Sequence, residues 1–118
     1  MHRFEELKIW QKAMTVTEYC YKITEKFPIE EKYGLISQIR RSAISIPSNI
    51  SEGAGRNTDG EFRQFLGMAN GSTFELLTQL YLSKRLNIIS EESIRPIINE
   101  ALEVIKMNYS LQKTLQKS

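Results

Sequence analysis

Apolar residues recur at a spacing close to 3.6 along almost the whole chain, and four segments carry that helical period. In the first, Leu7, Trp10, Ala13, Met14 and Tyr21 fall on one side, and Ile9, Val16, Cys20, Ile23 and Phe27 extend the stripe. Pro28 ends it, because a proline disfavours helical geometry in the residue before it. The second segment is predicted from about Glu31 to Gly55, with Leu35, Ile39, Ala43, Ile46, Ile50 and Ala54 stepping by three or four. Glu30 and Glu31 place negative charge at its start, where the helix dipole favours it. Pro47 sits inside this pattern, where a proline removes a hydrogen bond and costs roughly 3 kcal/mol in a plain helix. The apolar spacing continues through Pro47 in register, which predicts a kink there and not two separate helices. Gly53 and Gly55 mark the C-terminal end.

The third segment opens on a capping box, Thr58 with Glu61, and Asp59 adds first-turn negative charge. Its stripe is Phe62, Phe65, Leu66, Ala69, Thr73, Leu76, Leu77 and Leu80, and Asn87 suits a left-handed residue past its end. Ser90 caps the fourth segment, with Glu91 and Glu92 in its first turn. There Ile94, Ile97, Ile98, Ala101, Leu102, Ile105, Tyr109 and Leu115 share a face, and Pro96 falls within the first turns. The links around Pro28, around Asn57 and from Asn87 to Ser90 are short, which makes consecutive helices antiparallel. The expectation is an all-α chain, a single up-down-up-down four-helix bundle over residues 1–118.

Composition agrees: 41% hydrophobic and 25% charged residues suit one globular core, and six Gly and three Pro are few for an all-β fold. The single Cys20 excludes an intramolecular disulfide and a Cys-cluster metal site, and reads as a core residue. The single His2 stands apart from any partner ligands. No signal segment or apolar run of about 18 residues is present, so a cytoplasmic location without a membrane is expected. The three Asn-x-Ser sequons at Asn49, Asn70 and Asn108 are then chance occurrences. Tyr19, Tyr21, Tyr33, Tyr81 and Tyr109 suit either interfaces or the core, the core being the commoner place for an aromatic at helical spacing.

Catalytic motifs are absent: no nucleophile elbow, phosphate-binding Walker loop or zinc helix motif occurs, so neither an enzyme nor a cofactor or metal is expected. Glu52 and Glu75 lie near apolar positions. Di-iron bundles need Glu-x-x-His motifs that this chain lacks, so a structural hydrogen bond or an ion pair to Arg40, Arg41 or Arg56 is the expected role of each. Gly53-Ala54-Gly55-Arg56 follows a helix where a phosphate loop precedes one, and so reads as a helix terminus. Gly67, Gly71 and Ser72 are unusual in a helix interior, where each glycine costs about 1 kcal/mol against Ala. They call for close approach of another backbone, either the Pro47 region of the same chain or another subunit.

Charge adds one asymmetry. The net charge is only +2, but residues 32–51 contain no Asp or Glu while holding Lys32, Arg40 and Arg41, with Arg56 and Arg63 following. Arg40 and Arg41 point about 100° apart on a helix, so at least one faces outward, toward a groove, a partner or an anion. Ion pairing to glutamates of the neighbouring helices is the alternative for each.

Phe4-Glu5-Glu6-Leu7-Lys8-Ile9-Trp10-Gln11-Lys12-Ala13, Phe27-Pro28, Glu31-Lys32-Tyr33-Gly34-Leu35 and Gln38-Ile39-Arg40-Arg41 resemble a bacterial family of small four-helix proteins. The most specific run is Ser45-Ile46-Pro47-Ser48-Asn49-Ile50-Ser51-Glu52-Gly53, closed by Gly55-Arg56 and continued by Phe62, Phe65, Leu66, Ala69, Gly71-Ser72 and Glu75. The family is that of proteins encoded in intervening sequences of 23S ribosomal RNA genes. The accessory variability determinant (Avd) of diversity-generating retroelements is similar to it. The resemblance implies a homopentamer with a central channel and, in the Avd branch, a basic surface that binds nucleic acid and a partner reverse transcriptase. The expected function is therefore a non-enzymatic, pentameric scaffold for RNA or DNA and a protein partner. Lys32, Arg40, Arg41, Arg56 and Arg63 would contact phosphates, while Pro47, Gly67, Gly71 and Ser72 would serve close packing or oligomer contacts. The alternative is a structural or protein-interaction module that binds no nucleic acid.

Overall fold

The computed structural model describes residues 2–116, and those residues contain helices and no strand. The four long helices are α1 (Lys8–Thr24), α2 (Ser37–Ala54), α3 (Asp59–Arg85) and α4 (Glu91–Gln116). They pack as an antiparallel four-helix bundle. The 27 residues of α3 span roughly 40 Å at 1.5 Å per residue, which accounts for most of the 46 Å long axis. The core is a continuous seam of Ile9, Ala13, Val16, Cys20 and Ile23 from α1 against Ile39, Ala43, Ile46 and Ile50 from α2. Phe62, Leu66, Leu76 and Leu80 of α3 and Ile94, Ile98, Ala101 and Val104 of α4 close it. The predicted α1 stripe is narrower than drawn from sequence: Met14 is exposed, and Trp10 and Tyr21 are only half-buried. On α4, Leu102 and Tyr109 face outward.

Helix ends follow local chemistry. The Glu61 amide donates to Thr58 Oγ1 at 3.1 Å at the start of α3, and the Ser93 amide donates to Ser90 Oγ at 3.1 Å at the start of α4. Asn87 takes the left-handed conformation, φ 61°, and turns the chain between them.

The entry to α2 differs from expectation. A short 3-10 turn (Ile29–Glu31) and a π-turn (Lys32–Ile36) precede it, so the regular helix begins at Ser37 and not near Glu31. The departure from helical dihedrals lies at Gly34 (φ −107°, ψ −112°), where a Cβ would meet Glu31 Oε1 at 2.9 Å. Glu31 Oε1 accepts the Leu35 amide at 3.2 Å and serves as the cap of this entry.

Pro47 lies in the buried part of α2, which runs through it as one helix and not two, as the spacing predicts. Its missing N–H leaves the Ala43 carbonyl without the usual partner four residues on. Thr17 Oγ1 of α1 lies 3.0 Å from that carbonyl and 2.9 Å from the Ala13 carbonyl, and its single proton is shared between them.

The most extensive helix contact is between α2 and α3. Gly53 lies against α3 so tightly that a Cβ there would stand 2.7 Å from Phe65 Cβ and 3.0 Å from Phe62 Cδ1. Further along, Ser45 and Ser72 hydroxyls meet at 2.8 Å and Ser42 donates to Glu75 Oε1 at 2.9 Å. Asn49 Nδ2 reaches back to Ser45 O at 2.9 Å. Small and polar side chains at Ser42, Ser45, Asn49 and Gly53 thus form one stripe of α2 that fixes its register on α3.

Candidate nucleic-acid interface

The two adjacent arginines of α2 separate as the helical period requires. Arg40 turns toward the end of α1: Nε donates to Thr24 Oγ1 at 2.9 Å, Nη2 donates to the Tyr21 carbonyl at 3.3 Å, and the guanidinium lies 4.5 Å from the Tyr21 ring centroid. That arrangement joins α1 to α2 and engages two of the five guanidinium donors. Arg41 is exposed on the outer face of α2, one turn from exposed Gln38 and Ile44. It is the arginine that faces solvent.

The remaining predicted cations lie on different elements from Arg41: the turn before α2, the link after it, and α3. Lys32 is in the exposed π-turn, 5.5 Å from the Tyr33 ring. Arg56 lies past the other end of α2, paired with Glu61 at 3.5 Å and stacked 5.1 Å from the Phe65 ring. Arg41 is roughly 20 Å from that end of the helix, counting 1.5 Å per residue. Arg63 follows Glu61 by two positions on α3, about 200° around the axis, so Arg56 and Arg63 address different faces. Arg41, Lys32 and Arg63 therefore remain as dispersed cations, while Arg40 and Arg56 are engaged within the chain.

Neither of the two carboxylates expected to face inward is buried: Glu75, like Glu52, is exposed. Glu75 accepts from Ser42, the structural hydrogen bond that was one of its two expected roles. Among the described residues no three His, Cys, Asp or Glu side chains gather as metal ligands. Cys20 is fully buried, and burial pushes its thiol up to about 12. No helix is long and apolar enough to cross a membrane among these residues.

The small-residue positions give the clearest outward signal. A Cβ placed on Gly67 or Gly71 would meet nothing within 4 Å, so the Pro47 region of the same chain is not what they approach. Ser72 and Pro47 do lie at intrachain contacts. The outer face of α3 that carries the two glycines also exposes Met68, Phe74, Tyr81 and Leu82, and its neighbour α4 exposes Leu102 and Tyr109. Four of the five tyrosines, Tyr19, Tyr33, Tyr81 and Tyr109, are exposed, which removes the core as the place for these four. Sequence periodicity misses this face because α3 is apolar on both sides.

No curated protein sequence matches the chain. A crystal structure of a protein of unknown function from the S23 ribosomal protein family of Bacteroides thetaiotaomicron is similar, with a TM-score of 0.81 and 25% identity. The match covers 89% of this chain and 98% of that one. The family model for the 23S rRNA-intervening sequence protein matches residues 5–110. With that match over most of its length and the fold shared with that structure, the chain belongs to the 23S rRNA-intervening sequence protein family.

Proposed function

We propose that the protein is a non-enzymatic helical scaffold that assembles as a homo-oligomer, a pentamer by its resemblance, and holds RNA or DNA with a protein partner. The observation that carries the assembly is the outer face of α3. Exposed Met68 and Phe74 flank Gly67 and Gly71, exposed Tyr81 and Leu82 continue the helix beyond them, and the missing side chains of the glycines leave room for another backbone. Apolar surface of this kind is stabilised by removal from water, at about 25 cal/mol per Å² buried. Two interior glycines at a helix cost of about 1 kcal/mol each are offset when a neighbouring helix packs on them.

Arg41 supports the nucleic-acid part. Its guanidinium is exposed within an acid-free stretch of the chain, and several copies in one assembly turn a weak phosphate contact into a multivalent one. Sedimentation of the protein with and without a structured RNA, across a salt series, tests both parts. The expected result is an oligomer whose RNA affinity falls with salt, and an Arg41→Ala protein that stays oligomeric but shows a weaker salt dependence. A monomer at micromolar concentration defeats the assembly. An oligomer that ignores RNA at low salt leaves the protein-interaction module, which the intrachain engagement of Arg40 and Arg56 favours.

A further inference from the structure

An open compartment of about 270 Å³ lies between the second half of α1 and the start of α4. Buried Ile23 and Ile97 form its floor, and Pro96 and the Tyr19 ring add apolar surface. Lys22 and Lys26 stand at its edge with the Ser93 side chain opposite on α4. Tyr19 and Lys22 lie about 60° apart on the last turns of α1, Lys26 follows in the turn just past its end, and Glu18 and Glu25 are not among the lining residues. No carboxylate lines the compartment.

Its length is limited. Lys12 Nζ of α1 and Glu100 Oε2 of α4 meet at 2.8 Å across the same groove, and the next cavity along it, lined by Lys8, Thr15 and Met107, lies around that pair. A docked helix or long peptide would have to cross this ion pair. A single ligand unit would not. The lining asks for a flat apolar body on Tyr19 and the isoleucines and a compact anion on the two ammonium groups.

We infer that this compartment binds a nucleoside monophosphate unit, its base on Tyr19 and the Ile23–Ile97 floor and its phosphate on Lys22 and Lys26. Base stacking on an aromatic side chain tolerates any base, and lysine recognises phosphate as a point charge, so the site has class selectivity and little sequence selectivity. The unit is either a free nucleotide or the terminal nucleotide of a strand. The site is on α1 and α4, apart from Arg41, and does not require the oligomer.

The test is a titration of the full chain followed by methyl and aromatic NMR, using adenosine 5′-monophosphate, adenosine, inorganic phosphate and a short oligoadenylate. Saturable shifts at Ile23, Ile97 and Tyr19 are expected. Adenosine and phosphate alone should bind far more weakly than the monophosphate. The Lys22→Ala/Lys26→Ala protein should lose about tenfold or more in affinity through its missing phosphate contacts. Tyr19→Ser should weaken binding, and Lys113→Ala should leave it unchanged, with circular dichroism melts confirming that each variant folds. Saturation by the monophosphate assigns a free nucleotide; saturation by oligoadenylate alone assigns a strand end. The inference is overturned if neither ligand saturates those residues or if the double lysine variant binds as tightly. Polyglutamate competing as well as the monophosphate overturns it too.

Discussion

The hydroxyl of Thr17 stands 3.0 Å from the Ala43 carbonyl, the acceptor that Pro47 leaves without its helical donor. One helix thus supplies what a proline removes from another. This explains how α2 keeps Pro47 in its buried face without breaking. Thr17→Val should cost about 1–2 kcal/mol, the penalty of a buried carbonyl left unpaired. The same substitution in a Pro47→Ala background, where residue 47 donates again, should cost less than half as much. Urea midpoints of the four proteins in this double-mutant cycle decide it. Equal costs in both backgrounds mean that the bond does not compensate for the proline.

Glycines in α2 and α3 should respond in opposite ways. Gly53→Ala forces a Cβ to within 2.7 Å of Phe65 Cβ, and overpacking of this kind typically costs about 1–3 kcal/mol. Gly67→Ala and Gly71→Ala meet open space in the protomer and should each raise helix stability by up to about 1 kcal/mol. The same two changes should loosen the assembly proposed above. Thermal melts combined with sedimentation separate the effects. An oligomer indifferent to both substitutions places its interface elsewhere.

Arg40 and Arg41 should be distinguishable by stability alone. Arg40→Ala removes the ring contact on Tyr21 and the bond to Thr24, and should destabilise by about 1–2 kcal/mol. Arg41→Ala should fall within about 0.5 kcal/mol of the parent, as exposed substitutions do. Denaturant unfolding of the two single variants is sufficient, and a reversed ranking would contradict the placement of Arg40 against α1.

Cys20 gives a pH signature. Burial raises its thiol from 9.0 to about 12 in the folded chain. The folded state therefore holds the proton that the unfolded state releases first. This contribution to stability is complete below about pH 9 and is lost as pH rises toward 12. Cys20→Ala should flatten that alkaline decline, after allowance for its lost packing. In the native parent, a thiol reagent at pH 8 should react only at the rate of opening. Fast stoichiometric labelling would show that the thiol is accessible.

Much of the architecture was legible because helices signal themselves locally. Thr58 with Glu61, Asn87 and Ser90 each occupy the terminus that their chemistry suggests, and the apolar period locates the core of all four helices. The wrong or open points depend on neighbours distant along the chain. A proline in a helix reads as a lost hydrogen bond until Thr17 is known to lie beside Ala43. Gly53 reads as a helix end, and only the crossing of α3 shows why no side chain fits. Periodicity requires one of Arg40 and Arg41 to face outward, but the position of Tyr21 and Thr24 decides which. The site was the least legible part. The cations grouped by their sequence proximity are dispersed by the fold, while Lys22 and Lys26 meet Ser93 and Pro96 only through the pairing of α1 with α4.

The Gly53–Phe65 approach has a kinetic consequence. The two residues are close along the chain, separated only by the end of α2, a short link and the first turns of α3. Contacts of such short range close at low entropic cost, and local contacts accelerate folding. The α2–α3 hairpin is thus predicted to form early, with α1 and α4 condensing on it. Gly53→Ala should then act mainly on the folding limb of a chevron plot, slowing formation of the bundle more than it hastens its loss.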